Sequence, residues 1–183
     1  MGVYCDVYDS PVGLLLLRSD GLALTGLSMI SEPPESINPH PIFSKIKRWL
    51  DDYFRGTDRP VDFSVALEGT AFQKLIWQLL VDIPWGAVRA YGDLAKDAAR
   101  ILGKERMSAQ AVGQAVGANP VAVIIPCHRC VAAGGKLGGY AYGAQKKQWL
   151  IDHERKNWHE ICEDSGTHHA AADSAEAADG GYL

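Results

Sequence analysis

The 183-residue sequence has no apolar stretch close to the about 20 residues that a helix needs to cross a bilayer. Its first residues, M-G-V-Y-C-D-V-Y, lack the basic segment and apolar core of a secretory signal. It has four cysteines (Cys5, Cys127, Cys130 and Cys162), and their spacing is not that of a disulfide framework. These absences predict a protein of the reducing cytoplasm that does not associate with a membrane.

Basic residues are distributed unevenly along the chain. Residues 157–183 contain six Asp or Glu and no Lys or Arg, whereas residues 69–156 contain twelve Lys or Arg against six Asp or Glu. The middle segment therefore has a net charge of +6, between an N-terminal segment of −4 and a C-terminal segment of −6. Such a basic surface fits phosphate groups, and a solvated charged face explains it equally well at this point.

The first 68 residues predict a small α/β domain with an antiparallel sheet and a helix. Short apolar runs separated by D-S-P and S-D-G predict a meander over residues 1–30. Apolar residues at helical spacing predict an amphipathic helix over residues 42–54, and V-D-F-S-V-A-L (61–67) predicts a returning strand. No motif in this domain carries chemistry, and Cys5 has no His or Cys at ordinary ligand spacing.

Helices are predicted to dominate residues 69–157. Thr70 and Gln73 form the sequence pattern of a capping box. Further helices are predicted at residues 91–102, 108–119 and 144–158, and a buried strand at 121–125. Two helices joined by a short turn resemble a helix-turn-helix, a motif found in DNA-binding domains, and the predicted fold class is α+β with a mainly helical second domain. The third of these helices, A-Q-A-V-G-Q-A-V, is slender because it consists almost wholly of Ala, Gly, Val and Gln. Tight packing on a neighbouring helix explains this composition as well as contact with nucleic acid does. Residues 158–183 predict a disordered tail, in which His168 and His169 are only a weak metal signal.

The run I-I-P-C-H-R places a thiol, an imidazole and a guanidinium next to one another at residues 127–129. A nucleophilic Cys127 needs a base such as His128, with a carboxylate such as Glu154 to orient it. Cys127 and Cys130 also form a C-x-x-C pair, but V-A-A-G-G after it cannot start the helix that thiol-disulfide enzymes use. A zinc site would lack a fourth ligand.

Six motifs between residues 72 and 154 decide among these alternatives. They are F-Q-K-L-I-W-Q-L-L-V-D-I-P-W-G, Y-G-D-L-A, A-V-G-Q-A-V-G-A-N-P, I-I-P-C-H-R, G-G-Y-A-Y-G and K-K-Q-W-L-I-D-H-E. Together, in this order, they resemble the catalytic domain of the alkylguanine-DNA alkyltransferases, also called methylated-DNA–protein-cysteine methyltransferases. The resemblance implies DNA repair by irreversible transfer of an alkyl group from O6 of guanine, and also from O4 of alkylated thymine, to a cysteine. It implies double-stranded DNA as the partner, no cofactor and no metal, and we expect a monomer.

The resemblance also implies residue roles. Cys127 matches the alkyl acceptor, His128 its base acting through a water molecule, Glu154 the carboxylate that orients His128, and Asn119 a residue that orders the site. The substrate- and DNA-binding positions are Tyr91, Gln110, Ala111, Gly113, Arg129, Tyr140 and Lys147.

Three positions depart from the family pattern. Gln110 stands where most members have arginine, which predicts weaker DNA binding. Tyr142 replaces a small residue and predicts exclusion of bulky adducts such as benzyl. Cys130 replaces an apolar residue, so it is either buried or able to form an inactivating disulfide with Cys127. The alternative function is lesion binding without transfer, but such relatives lack the acceptor cysteine.

Overall fold

The computed structural model describes the backbone of residues 2–164 and the side chains of residues 2–157. The N-terminal part is an antiparallel sheet in the order β1-β2-β3, with β1 at Tyr4–Ser10, β2 at Gly13–Ser19 and β3 at Leu24–Ile30. The tight turn between β1 and β2 uses Gly13 at φ +105, a conformation that glycine adopts without strain. The predicted meander is therefore confirmed.

Helix α1, at Ile42–Phe54, packs its apolar face on this sheet. The buried residues of that face are Phe43, Ile46, Trp49, Leu50 and Tyr53. Their spacing of three and four residues is the one that defined the helix in the sequence. The chain leaves α1 through Gly56, which has φ +91 and lies against Asn157 of the last helix.

The second part is mainly helical, as predicted. Its elements are α2 at Ala71–Val81, β4 at Arg89–Ala90, α3 at Tyr91–Ile101, α4 at Ala109–Gly117, a 3-10 turn at Cys127–Arg129, β5 at Cys130–Val131, a 3-10 turn at Ala133–Gly135 and α5 at Ala144–Asp164. The capping box at the start of α2 is present, with Thr70 Oγ1 accepting from Gln73 N–H and Gln73 Oε1 accepting from Thr70 N–H. Helices α3 and α4 pack together, and β4 pairs with β5 in parallel.

Two predicted strands are wrong, and the outer edge of β3 gives the reason. Leu24 on this edge exchanges backbone hydrogen bonds with Ser64 and Ala66, whereas Leu27 exchanges them with Pro120 and Ala122. Because two segments share one short edge, each makes a single bridge to it instead of a strand. This shared edge also ties the two parts of the chain together.

Residues 121–125 form a tight turn instead of the predicted strand. Ala122 bridges to Ile125, and the buried Val123 between them has φ +70. A β-branched residue in this region costs about 1–3 kcal/mol, so the surrounding contacts must hold it there. The turn brings the chain directly to Cys127.

Helix α5 continues to Asp164, beyond the predicted end at residue 158. Residues 158–164, W-H-E-I-C-E-D, contain no Gly or Pro that would end a helix, so the predicted tail begins too early. The rest of that tail, with His168 and His169, lies outside the described residues. No helix within residues 2–164 is long and apolar enough to cross a membrane.

Candidate active site

The 3-10 turn at Cys127–Arg129 separates the thiol from its neighbours. It is held by bonds from Cys127 N–H to the Ile125 carbonyl and from Arg129 N–H to the Pro126 carbonyl. The Cys127 side chain lines a pocket, whereas that of His128 is fully buried and does not line it. Sequence neighbours thus face different surroundings.

His128 is bound to Glu154 of α5. Its Nε2 lies 2.7 Å from Glu154 Oε1, and both side chains are buried. If the carboxylate accepts from Nε2–H, the matching neutral tautomer of the ring has no proton on Nδ1. Nδ1 is buried and has no hydrogen-bond partner among the described residues. It is therefore the atom of this pair that can accept a proton from a nucleophile.

The Glu154 carboxylate accepts hydrogen bonds from four residues. Besides His128, they are the Tyr53 hydroxyl at 2.8 Å, Arg129 Nε at 2.8 Å and Nη2 at 3.0 Å, and the Gly86 N–H at 3.2 Å. Burial on its own would raise the pKa of Glu154, but His128 and Arg129 together hold it at about 2. Glu154 is thus a fixed negative charge that anchors the imidazole.

Cys127 is a neutral thiol at rest. Burial raises its pKa, while the nearby Asn119 and Tyr140 side chains and the positive charge of Lys147 act in the opposite direction. The buried Tyr140 hydroxyl makes no hydrogen bond of ordinary geometry with the described residues, yet it is close enough to favour a Cys127 thiolate. The surroundings therefore stabilise a thiolate once a base removes the proton, without forming it in advance.

A pocket of about 290 Å³ opens above the Cys127 thiol. It is lined by Tyr91, Gly113, Val116, Gly117, Asn119, Cys127, Gly139, Tyr140, Ala141 and Tyr142. The buried Lys147 donates to the Gly139 carbonyl at 3.1 Å, and so does the Tyr91 hydroxyl at 3.2 Å. Two donors on one carbonyl fix the glycine-rich loop that forms one wall.

A larger apolar groove of about 810 Å³ lies elsewhere, between residues 61–67, α1 and α2. None of the residues assigned to the site from the sequence lines it. The smaller pocket, which holds the thiol, is therefore the candidate active site.

Comparison with known proteins assigns the family. The family model for the DNA binding domain of 6-O-methylguanine DNA methyltransferase matches residues 71–156, and the model for its ribonuclease-like domain matches residues 3–68. The chain belongs to the 6-O-methylguanine DNA methyltransferase family.

Relatives of the family support this over most of the chain. A methylated-DNA–protein-cysteine methyltransferase of Methanosarcina acetivorans is 39% identical over 155 residues, covering 81% of this chain and 96% of that protein. One of Mycobacterium tuberculosis is 40% identical over 152 residues, covering 80% and 89%. The crystal structure of M. tuberculosis OGT in complex with DNA matches with a TM-score of 0.73 at 37% identity, covering 82% of this chain and 92% of that one. The predicted α+β fold class is confirmed.

The structure distributes the predicted site residues of this family member over three places. Cys127, Asn119, Tyr91, Gly113 and Tyr140 line the pocket, and Lys147 touches its wall. His128 and Glu154 are buried and bonded to each other, and neither lines the pocket. Gln110 and Ala111 lie outside the pocket at the start of α4, where Gln110 is exposed.

Arg129, which the sequence assigns to substrate and DNA binding, is a partner of Glu154 in the structure. Its Nε and Nη2 atoms donate to the carboxylate, Nη1 donates to the Ile83 carbonyl, and the guanidinium lies 5.9 Å from the centre of the Trp85 ring. Only 11% of its side chain is exposed. Its donors are used inside the protein, since a buried carboxylate needs a charged partner.

The structure can also be compared with the alternatives for Cys127 and Cys130. Cys127 and Cys130 are both buried and free, and Cys127 begins only a three-residue 3-10 turn. Of the two predicted states of Cys130, burial is the one observed. Within the described residues no three His, Cys, Asp or Glu side chains are grouped so that they could hold a metal ion, and the expected absence of a metal stays a prediction.

Sequence reasoning missed two contributors to the site, Tyr53 and Gly86. Tyr53 forms part of the apolar stripe of α1, and that pattern reports burial without saying where a hydroxyl points. Gly86 contributes a backbone N–H, which no side-chain motif can reveal.

Tyr142 narrows the pocket of this family member and gives a prediction about adduct size. Its half-buried ring meets Tyr140 edge-on with centroids 5.5 Å apart. We expect Tyr142→Gly to raise transfer from O6-benzylguanine in DNA roughly tenfold or more, because a removed side chain admits a larger group. Transfer from O6-methylguanine, measured in parallel, should change less than about threefold. Equal changes with both substrates would contradict a role in adduct size.

Proposed function

We propose that Cys127 is the alkyl acceptor of this chain and that His128, oriented by Glu154, is its base. Direct reversal of DNA alkylation by alkyl transfer to a protein cysteine is the activity of the family, with DNA as the partner. The observation that carries the assignment is a buried thiol that lines a pocket and is followed in sequence by a buried imidazole, whose Nδ1 has no hydrogen-bond partner among the described residues.

The transfer is a displacement at the alkyl carbon. The Cys127 thiol gives its proton to His128 Nδ1, directly or through a water molecule, and sulfur forms a bond to the alkyl carbon. The bond between that carbon and O6 breaks, and its electron pair stays with guanine. Guanine takes up one proton from water and His128 returns the thiol proton to water, so the proton count balances. The product is a thioether, from which no ordinary leaving group departs, so each molecule reacts once. No cofactor enters this scheme.

Tyr91 is proposed to stabilise the departing guanine. Burial, with the nearby Cys130 and Cys127 sulfurs, raises the pKa of Tyr91 to about 12. The hydroxyl therefore stays protonated at neutral pH and can donate a hydrogen bond to the base. Tyr140 and Lys147 enclose the same space, and Asn119 orders it.

The target base must leave the duplex to reach Cys127, because only 6% of that residue is exposed. Helix α4 is proposed to contact the minor groove. At Gly113 and Gly117 the space that a Cβ would occupy is empty, so a DNA backbone could approach closely. Contacts of this kind read the backbone and not the sequence, which suits a repair protein.

Five further assignments belong to this proposal. Gln110 is proposed to enter the duplex without the charge of an arginine and thus to bind DNA weakly. Alkylated thymine is proposed as a second substrate, and the protein is proposed to act as a monomer. Residues 1–68 and 69–157 are proposed as the two domains. A cytoplasmic location is proposed because the reaction needs Cys127 as a free thiol.

One experiment tests the acceptor. After reaction with duplex DNA that carries O6-methylguanine, tryptic digestion should give the peptide of residues 107–129, which contains Cys127 but not Cys130. Mass spectrometry should find one added methyl on this peptide, in a burst that ends at one per protein. An unmodified peptide would indicate a lesion-binding protein, and a disulfide to the following peptide would indicate redox chemistry.

A further inference from the structure

The proposed alkyl-transfer site includes a residue of the N-terminal domain. Tyr53 lies in the last turn of α1, and only 1% of it is exposed. Its hydroxyl donates to Glu154 Oε1 at 2.8 Å and lies 3.5 Å from His128 Nε2. Residues 101 positions apart in the chain thus meet at the centre of the proposed relay.

The shared oxygen restricts the geometry of the relay. Glu154 Oε1 accepts from the Tyr53 hydroxyl, from His128 Nε2 and from Arg129 Nη2 at the same time. Oε2 accepts from Arg129 Nε and the Gly86 N–H. A carboxylate with donors on both oxygens cannot rotate without losing several bonds. The imidazole is therefore held in one orientation, with Nε2 bound to the carboxylate.

Tyr53 is itself held on every side. Its ring packs against Trp49 at 5.5 Å, Phe54 at 5.1 Å and Trp85 at 5.0 Å between centroids. Its backbone carbonyl lies 2.8 Å from His153 Nε2 on α5. The hydroxyl therefore occupies a fixed position, and phenylalanine would retain all of the ring packing.

The hydroxyl of Tyr53 acts as a donor. Burial and the negative charge of Glu154 raise its pKa well above the ordinary value, so the proton stays on oxygen. Asp58 also belongs to the N-terminal part. Burial raises its pKa, and the charges of Arg129 and Glu154 lower and raise it, respectively. The N-terminal domain therefore contacts the relay and does more than cover it.

We propose that Tyr53 is a positioning residue for alkyl transfer, and that the N-terminal domain completes the active site by supplying its hydroxyl to Glu154. The inference rests on the proposed function of Cys127, His128 and Glu154. It assigns to residues 1–68 a part in the chemistry that no sequence motif in them indicates.

Tyr53→Phe tests the proposal in single-turnover transfer from duplex DNA with O6-methylguanine. We expect the limiting rate constant to fall about tenfold, because a hydrogen bond to a charged group is lost. The DNA concentration for half-maximal rate should stay within about twofold, since no DNA contact changes. The burst should still end at one alkyl group per protein, because every folded molecule reacts eventually.

Tyr8→Phe is the matched control. The Tyr8 hydroxyl also donates to a carboxylate at 2.8 Å, that of Asp51, on the same helix as Tyr53 but outside the relay. Its removal should leave the limiting rate constant unchanged. A Tyr53→Phe protein with wild-type rate, or one with a reduced burst amplitude at an unchanged rate, would overturn the proposal, because the second result indicates unfolded molecules only.

The pH dependence adds a readout that a purely structural role would not move. With one hydrogen-bond donor fewer, the Glu154 carboxylate is stabilised less and its pKa should rise, so the acid limb of the rate profile should shift to higher pH. A uniform decrease at all pH values would overturn the positioning role. If the wild-type protein adds no alkyl group to Cys127, the proposed function fails, whereas a reactive wild type with an unaffected variant removes this inference alone.

Discussion

Replacing Glu154 by glutamine is expected to slow alkyl transfer at least about 100-fold, because the imidazole loses the charge that orients it. The same change should lower the free energy of unfolding by about 3–5 kcal/mol, since it leaves the largely buried Arg129 guanidinium without its partner. The NH2 group of the glutamine amide would also face the Tyr53 hydroxyl or Arg129 Nε, both of which now donate to the carboxylate, and two donors cannot bond to each other. Single-turnover kinetics and chemical denaturation measure the two effects separately.

Asp152→Asn is the control for this prediction. It makes the same chemical change two residues earlier on α5, where the exposed Asp152 carboxylate accepts only from Gln148 within the described residues. Neither the transfer rate nor the stability should change measurably. If Glu154→Gln transferred alkyl groups at the rate of Asp152→Asn, Glu154 would have no part in the reaction.

The pH dependence of stability gives a second test of Glu154. Its pKa is 4.5 without the protein environment and about 2 in the folded state, where His128 and Arg129 outweigh burial. A group with a depressed folded pKa contributes stability above its unfolded pKa and loses it as the pH falls. The difference in unfolding free energy between wild type and Glu154→Gln should therefore shrink between pH 4.5 and about 2. A constant difference would contradict this.

Local sequence patterns predicted the elements whose causes are local. The side-chain pair Thr70 and Gln73 caps α2 as expected, and the apolar stripe of α1 forms where its spacing indicates. Residues 121–125 were not predictable in the same way. Their β-branched composition favours a strand, but the edge of β3 that would receive it is shared with residues 64–66.

In the candidate site, too, some residues could be predicted from the sequence and others could not. Cys127, His128 and Glu154 follow from a resemblance that spans ordered motifs, and the structure brings His128 and Glu154 into contact. The role of Tyr53 could not be predicted, because its partner Glu154 is distant in the chain. In the sequence, nothing distinguishes Tyr53 from any other tyrosine on the buried face of a helix. Arg129 was assigned to DNA since its charge was visible in the sequence, whereas its burial was not.

The turn that presents Cys127 depends on Asn119. Its Nδ2 donates to the Ile125 carbonyl at 2.8 Å, and its Oδ1 accepts from Val121 N–H at 3.0 Å, so one amide closes both ends of residues 121–125. This closure holds Val123 at φ +70, where the backbone alone would not stay. Asn119 therefore influences the thiol in two ways. It holds the turn, and its side chain lies close enough to lower the pKa of Cys127 against the effect of burial.

Asn119→Asp should separate this role from simple side-chain volume. The Asp carboxylate can still accept from Val121 N–H. Its second oxygen, however, replaces the amide donor and repels the Ile125 carbonyl oxygen, and its negative charge lies beside the developing thiolate. We expect transfer to fall about 100-fold and stability to fall by about 2–4 kcal/mol. Asn157→Asp, which also loses a donor to a backbone carbonyl but lies outside the pocket, should keep its transfer rate. If Asn119→Asp lost stability but transferred at the wild-type rate, the turn would support the fold without positioning Cys127.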